Sequence, residues 1–129
     1  MSLILTKGEV DQLDKIVRKE LLDAGANHVM IVDMAGNLIL ERGSLHMNDI
    51  LALAVLSAAN FAATAQIARL IGEEDFTLLF HKGDKRNIHF SRLDKEYILV
   101  TLFDENVSLG LIRLRSGSAV EQLLNVFNK

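Results

Sequence analysis

The side chains best suited to chemistry in this sequence are four histidines spread along the chain: His28, His46, His81 and His89. No two of them have the i, i+4 spacing of a helical zinc pair, and cysteine is absent. The lack of cysteine excludes thiol catalysis, disulfides and cysteine-based zinc sites. We therefore predict neither a metal site nor a cofactor.

Other catalytic patterns are also missing from the sequence. There is no glycine-rich phosphate loop followed by Lys and Ser or Thr, no G-x-S-x-G elbow and no H-E-x-x-H pair. The acidic triplet from Glu73 to Asp75 follows a predicted helix and is interpreted as a solvated loop. The cations Lys82, Lys85 and Arg86 occupy a predicted hairpin tip, where they suit a solvated turn or a partner contact. We predict a protein that is not an enzyme.

Length and charge limit the classes of function further. With 129 residues the chain has room for one domain, which we predict to span residues 1–129. Its net charge of −3 and 5% aromatic content provide neither the basic field nor the stacking surface that nucleic acid requires. The first residues show no basic segment followed by a long apolar core, so we predict no signal peptide and a cytoplasmic location.

The element that must position any functional surface is an alanine-rich helix predicted over residues 49–71. From Ile50 to Ile71, 17 of 22 residues are Ala, Val, Ile, Leu or Phe, and Arg69 is the one ionisable side chain. A helix that is apolar all round is buried from two sides or spans a membrane. Its uncharged run of 19 residues is close to the ~20 that span a bilayer. Internal polar residues and the lack of Trp or Tyr at its ends favour a buried helix, and we predict no membrane span.

The two sides of this helix differ in relief when residues are placed at about 100° per step. Bulky side chains and one amide gather on the side predicted to face a sheet: Leu53, Leu56, Asn60, Ile67, Leu70 and Ile71. The opposite side is apolar and low, and it contains Leu51, Val55, Ala58, Ala59, Ala62, Ala65, Gln66 and Arg69. We predict that this second side binds a partner.

The remaining segments predict short strands and two further helices. Thr6 and Glu9 have the spacing of a capping box, which predicts an N-terminal helix. Two hairpins are predicted, one over residues 28–40 and one from strands at 76–80 and 88–93. Residues 97–103 are almost continuously apolar, as is typical of a strand in the middle of a sheet. The last segment has an ambiguous period, and its length favours a helix from about Ser108.

Three strings within this order of elements resemble the roadblock/dynein light chain family. They are VMIVDMAGNLIL in the first hairpin, IARLIGEEDFTLLFHKG at the end of the alanine-rich helix, and the terminal SLGLIRLR. The resemblance runs from about Asp11 to Phe127. Within the family the sequence is similar to prokaryotic members of the MglB type, which regulate a Ras-like GTPase in gliding motility and cell polarity.

The resemblance implies an α/β fold of the α+β type, a profilin-like sandwich. In it, a five-stranded antiparallel sheet has the long central helix on one face and the N- and C-terminal helices on the other. The resemblance also implies a homodimer in which one strand pairs with its twin, so that the dimer interface contains Phe76, Thr77, Leu78, Leu79 and Phe80. The partner expected on the long helix is a small Ras-like GTPase, whose nucleotide cycle the dimer modulates in the manner of a GTPase-activating protein.

Several alternatives stay open at this point. The dimer could serve as a scaffold or adaptor subunit of a motor or signalling complex without altering hydrolysis. A small-molecule sensor is another possibility, with Asn60 and Thr64 as the polar groups of a pocket under the long helix. If the protein does act on a GTPase, it could supply Arg69 to the developing phosphate charge or hold the loops of the GTPase in a competent state, and the resemblance favours the second.

Overall fold

The computed structural model describes residues 4–128, and within them the chain forms three helices and five strands. Helix α1 is Lys7–Val17 and continues as a π-helical turn over Arg18–Leu22, α2 is Met47–Leu70, and α3 is Leu109–Phe127. The strands are β1 at His28–Asp33, β2 at Leu38–Gly43, β3 at Leu78–Lys82, β4 at Arg86–Arg92 and β5 at Tyr97–Asp104.

The five strands form one antiparallel sheet in the order β2-β1-β5-β4-β3. Two hairpins, β1–β2 and β3–β4, are therefore joined by β5, the strand last in sequence. This confirms the prediction that the apolar segment beginning at Tyr97 lies in the middle of the sheet. Strands β2 and β3 form the two edges.

Helices cover both faces of the sheet. On one face α2 lies over a core that contains Met30, Val32, Ile50, Ala54, Phe61, Phe90, Ile98 and Val100. On the other face α1, the π-helical turn and α3 enclose Leu13, Val17, Leu21, Val29, Ile31, Leu99, Ala119 and Leu123. Alternate residues of β1 and β5 supply both cores, because successive side chains of a strand point to opposite faces. The predicted profilin-like sandwich is confirmed.

Side-chain caps fix the starts of the two terminal helices, and the sequence predicts the first of these caps. The Thr6 hydroxyl accepts from the Glu9 N–H at 3.1 Å, and the Glu9 carboxylate accepts from the Thr6 N–H at 3.0 Å. Ser108 caps α3 by accepting from the Leu111 N–H at 3.1 Å, which settles the ambiguous last segment as a helix. Each cap satisfies a backbone donor that the helix itself leaves unpaired.

The turn between β1 and β2 is held by Asp33. Its Oδ1 accepts from the N–H groups of Ala35 and Asn37 at 3.0 and 2.8 Å, and Gly36 adopts a positive φ of 90°. This is the side-chain-to-backbone bonding expected of Asp in a tight turn.

Several predicted boundaries are wrong, and β2 extends to Gly43, beyond the predicted end of its hairpin at residue 40. The strands of the second hairpin are β3 at Leu78–Lys82 and β4 at Arg86–Arg92, about two residues from the predicted ranges. The connection is shorter than its polar sequence suggests, because the Gly83 N–H donates to the Arg86 carbonyl at 3.0 Å and closes the turn at once. Helix α2 begins at Met47, before the predicted start at residue 49, and its N-cap His46 makes no side-chain capping bond.

Candidate protein-binding surface

The face of α2 that packs on the sheet consists mostly of small side chains. Its buried residues recur at intervals of three and four: Ile50, Ala54, Ser57, Phe61, Thr64 and Ala68. Phe61 is the largest of them, and its ring meets Phe90 edge-on with 6.2 Å between centroids. On β4, the Arg92 guanidinium lies 5.2 Å from the Phe61 ring centroid. The helix is therefore anchored at its middle by one aromatic side chain.

The opposite face of α2 presents an apolar surface. Seven of the ten large apolar side chains that are exposed within residues 4–128 lie on this helix or at its C-cap. These seven, which we call the α2 outer face, are Met47, Leu51, Val55, Leu56, Ile67, Leu70 and Ile71. Leu56 is 64% exposed and Leu70 is 87% exposed. Apolar exposure concentrated on one element marks a site of interaction with a protein or a membrane.

By length and composition, α2 is also apolar enough to cross a bilayer, and it is the one such helix among the described residues. Its most apolar window has a mean hydropathy of 1.8, and 33% of that window is buried in the fold. The buried part is the face that packs on the sheet. The absence of a membrane span stays a prediction.

The predicted orientation of this helix is wrong. The bulky side chains predicted to face the sheet are mostly exposed: Leu56, Ile67, Leu70 and Ile71. Leu53 and Asn60 are half-buried at the margin. The physical reason is that side chains from β1, β4 and β5 already fill the layer beneath the helix. Small residues let the helix backbone approach that layer closely, so bulk is not needed there.

Most residues predicted to bind a partner are accessible. Those exposed are Leu51, Val55, Ala59, Ala62 and Arg69, and Ala65 is half-buried. Ala58 is 4% exposed, so it packs within the protomer and is not available as a contact. That the six accessible residues bind a partner stays a prediction.

A crevice of about 260 Å³ separates α2 from the β3–β4 hairpin. It is lined by Leu53, Leu56, Ser57, Asn60, His81, Ile88 and Phe90. Thr64, predicted as a polar group of a pocket, donates its hydroxyl to the Asn60 carbonyl at 2.7 Å and does not line this space. Ser57 and His81 were not predicted to line a crevice, because only the packing of the hairpin against α2 brings them together. The Ser57 Oγ is buried without a hydrogen-bond partner.

Strand β3 has an unpaired edge beside this crevice. Within the described residues it pairs with β4 alone, in the register Leu78 with Ser91 and Lys82 with Asn87. Of the five residues predicted for a dimer interface, Leu78, Leu79 and Phe80 belong to the strand, while Phe76 and Thr77 precede it. An open edge presents unpaired N–H and C=O groups that another strand can satisfy.

Among residues 4–128, no three His, Asp or Glu side chains are grouped so that they could hold a metal ion. His28 is buried, with Nδ1 accepting from the Leu45 N–H at 3.2 Å and Nε2 2.8 Å from a Glu41 carboxylate oxygen. Burial lowers the pKa of His28, and the Glu41 charge opposes that shift. This histidine holds the connection between β2 and α2 and has a structural role.

Acidic residues follow α2 at its C-terminus. Glu73 and Glu74 are exposed, whereas the Asp75 carboxylate lies 2.9 Å from Nη2 of Arg92. The solvated loop predicted for this triplet therefore includes one ion pair, and it ties the segment after α2 to β4.

Comparison with known proteins places the chain in a family. The model of the Roadblock/LC7 domain matches residues 13–103. The chain is 35% identical to Myxococcus xanthus MglB, with a TM-score of 0.89 over 98% of this chain and 95% of that one. It is 27% identical to the gliding protein MglB of Thermus thermophilus, with a TM-score of 0.90 over 98% and 96% of the two chains. This chain belongs to the Roadblock/LC7 family.

Two further structures bear on assembly and fold. An MglB structure described as having a tetrameric arrangement is 27% identical, with a TM-score of 0.91 over 98% of this chain and 96% of that one. A profilin from Schizosaccharomyces pombe is 17% identical, with a TM-score of 0.63 over 85% of this chain and 94% of its own. The profilin shares the sandwich architecture, and at this identity the likeness extends to the fold alone.

Proposed function

We propose that this chain is a non-catalytic, cytoplasmic homodimer that binds a small Ras-like GTPase through the α2 outer face and stimulates GTP hydrolysis. The observation that carries the proposal is the concentration of exposed large apolar side chains on α2. The similarity to MglB proteins over nearly the whole chain supports the choice of partner class. A role in cell polarity or gliding motility follows as part of the same proposal.

The dimer forms through the open edge of β3. Antiparallel pairing of two copies along this edge extends the sheet and brings the two α2 helices side by side. The flank of α2 nearest β3 has Leu56 at its surface and Asn60 at its margin. An apolar side chain of the twin that enters the crevice there would bury surface that a monomer leaves open.

The GTPase binds the part of the α2 outer face that points away from the dimer seam. Leu51 and Val55 lie on this part, and the exposed Ala62 lies on the same side of the helix. Alanines give it low relief, so the GTPase backbone can approach closely, and Leu51 and Val55 provide apolar contact. Stimulation arises because docking holds the loops of the GTPase around its nucleotide.

Arg69 provides the other route to stimulation. It is exposed in the last turn of α2 and could reach a bound nucleotide as an arginine finger. Its position at a helix C-terminus is also favourable for any cation, through the helix dipole. The Arg69→Ala variant separates the two routes, since loop positioning predicts that most of the stimulation survives.

The experiment is light scattering coupled to size-exclusion chromatography, with the protein alone and with a cognate GTPase carrying a GTP analogue or GDP. We expect a dimer that gains mass with the GTP form. Ala62→Arg should abolish this gain while the dimer persists, because a long cation holds the partner away from the low surface. Gly117→Arg is the matched control, because Gly117 is an exposed residue of α3 and no atom lies within 4 Å of a Cβ added there.

The outcomes separate the candidate functions. Binding retained by Ala62→Arg would contradict the assignment of this face. A complex that forms without any change in single-turnover hydrolysis would favour the scaffold.

A further inference from the structure

A second groove lies on the opposite face of the sheet from α2. It has a volume of about 330 Å³ and lies where the edge strand β3 and the end of β5 meet the start of α3. Its residues are Phe80, Lys82, Asn87, Phe103, Glu105, Val107, Ser108 and Leu109. The volume is near the lower end of the range for small-molecule pockets.

The floor of this groove is apolar and aromatic. The rings of Phe80 and Phe103 are stacked, with centroids 6.1 Å apart and an angle of 20° between their planes. Val107 and Leu109 provide aliphatic walls. A flat or branched apolar group therefore has a surface on which to pack.

One polar side chain in the groove has unmet hydrogen-bonding capacity. Asn87 is 7% exposed, and its Oδ1 is buried with no hydrogen-bond partner. An unpartnered buried amide oxygen is costly, so a donor that reaches it gains the full benefit of the bond. Asn87 lines the groove, so a small rotation of its side chain brings Oδ1 to the groove wall, where a donor of the ligand can reach it.

Opposite charges flank the groove without neutralising each other. Lys82 and Glu105 are exposed, and neither forms an ion pair with another described residue. The N-terminus of α3 adds positive potential through the helix dipole, and no acidic side chain in its first turn offsets this potential. The N–H groups of Leu109 and Gly110 precede the first intrahelical bond and stay available as donors.

The geometry points to a binding site for a free α-amino acid with an apolar side chain. The carboxylate of the ligand is held by Lys82 and the N-terminus of α3. Its ammonium group is held by Glu105 and the Asn87 Oδ1, and its side chain packs on the rings of Phe80 and Phe103. The three features of such a zwitterion match the anionic, cationic and aromatic parts of the groove. This site is independent of the proposed GTPase surface, which lies across the sheet.

Calorimetric titration of the full chain with L-leucine and with L-phenylalanine tests the proposal. We expect saturable binding of at least one of them. N-acetyl-L-leucine lacks the ammonium, L-leucinamide lacks the carboxylate and glycine lacks the side chain, and each should bind at least about tenfold more weakly. Loss of one charge-assisted hydrogen bond accounts for a change of that size with the first two ligands, and loss of the buried apolar side chain accounts for it with glycine.

Three variants locate the site. Lys82→Gln and Glu105→Gln change exposed side chains and leave the core intact, and Asn87→Leu removes the unpartnered oxygen at similar volume. Each should weaken binding about tenfold, whereas Lys95→Gln, in the exposed turn at the other end of β4, should not change it. Circular dichroism confirms that each variant is folded. Absence of saturable binding, or binding that all three groove variants retain, would overturn the proposal.

Discussion

The two helical layers cover the sheet in opposite ways. The terminal layer, formed by α1, the π-helical turn and α3, encloses its core with leucines, and its polar groups bond across element boundaries. The α2 layer is a single helix that meets the sheet mostly through small side chains and leaves most of its bulky ones exposed. The comparison teaches that one layer closes over its core, whereas the other leaves an apolar surface accessible.

The bonds of the terminal layer centre on Glu20 in the π-helical turn. This carboxylate is 5% exposed and accepts from the Ser118 hydroxyl and from Gln122 Nε2, the latter at 2.9 Å. Arg115 Nη1 lies 3.4 Å from its second oxygen. The Glu20 carboxylate thus joins the π-helical turn near the N-terminus to α3. The α2 outer face consists of apolar side chains and makes no such bond.

Leu123→Ala should have the largest effect on stability. Leu123 is fully buried in the terminal layer, and removal of such a side chain costs about 2–5 kcal/mol, since the cavity closes only in part. Urea unfolding at neutral pH measures the loss. A change below about 1 kcal/mol would mean that this layer is not the main support of the fold.

His89 should make the terminal layer sensitive to acid. It is 1% exposed on the face of β4 beneath α3, and burial, with a contribution from the charge of Arg113, lowers its pKa to about 4. The unfolded chain therefore takes up a proton near pH 6.5 while the folded chain resists until about pH 4. Stability is full above pH 6.5 and falls by about 2–3 kcal/mol as the pH drops to 4.

His89→Leu checks this prediction. The variant should unfold at a similar urea concentration to the parent at pH 7 and lose about 2–3 kcal/mol less between pH 7 and 4. Part of the dependence of stability on pH should remain in the variant, because the pKa of His28 is also lowered. An unchanged slope would show that His89 does not control the acid response.

Glu20→Gln should cost about 1–3 kcal/mol at neutral pH, because hydrogen bonds to a charged acceptor are lost. The Ser118 hydroxyl is the main cause that lowers the pKa of Glu20 below its ordinary value of 4.5. Its contribution is therefore present above pH 4.5 and disappears as the pH falls through the folded-state pKa. Denaturant curves at pH 7 and pH 3 should differ less for the variant, and an equal difference would contradict the prediction.

Leu56→Ala should have the smallest effect on the protomer and still alter assembly. Leu56 is 64% exposed, so its truncation should change unfolding of the isolated protomer by less than about 0.5 kcal/mol. It should raise the dissociation constant of the dimer, which sedimentation across a dilution series measures. A large loss of protomer stability with an unchanged dimer would reverse the roles given to the two layers.

Much of the fold could be predicted from local signals in the sequence. The Thr6 capping box and the start of the last helix near Ser108 are both confirmed, and each depends on a hydrogen bond between residues three apart in sequence. The prediction that the first strand of the second hairpin lies at an edge of the sheet came from the family resemblance. These features depend on short-range chemistry or on whole-chain similarity, and both are visible in one sequence.

The orientation of α2 could not be predicted in the same way. Periodicity shows which residues share a face of the helix. The prediction of which face packs on the sheet assumed that the bulkiest residues are buried. Which face packs there depends on how much volume Met30, Phe90 and Val100 already occupy beneath the helix. The groove at Asn87 was hidden for a related reason, since β3, β5 and α3 bring its residues together from distant parts of the chain.

The position of β5 has a consequence for how the chain is made. Both hairpins leave the ribosome before the central strand does, and neither can join the other until Asp104 has emerged. Pairings between segments so far apart in sequence form slowly. During that interval α2 has been synthesised without a complete sheet to cover its inner face. A nascent chain of this protein therefore has both faces of its most apolar helix uncovered until its fifth strand closes the sheet.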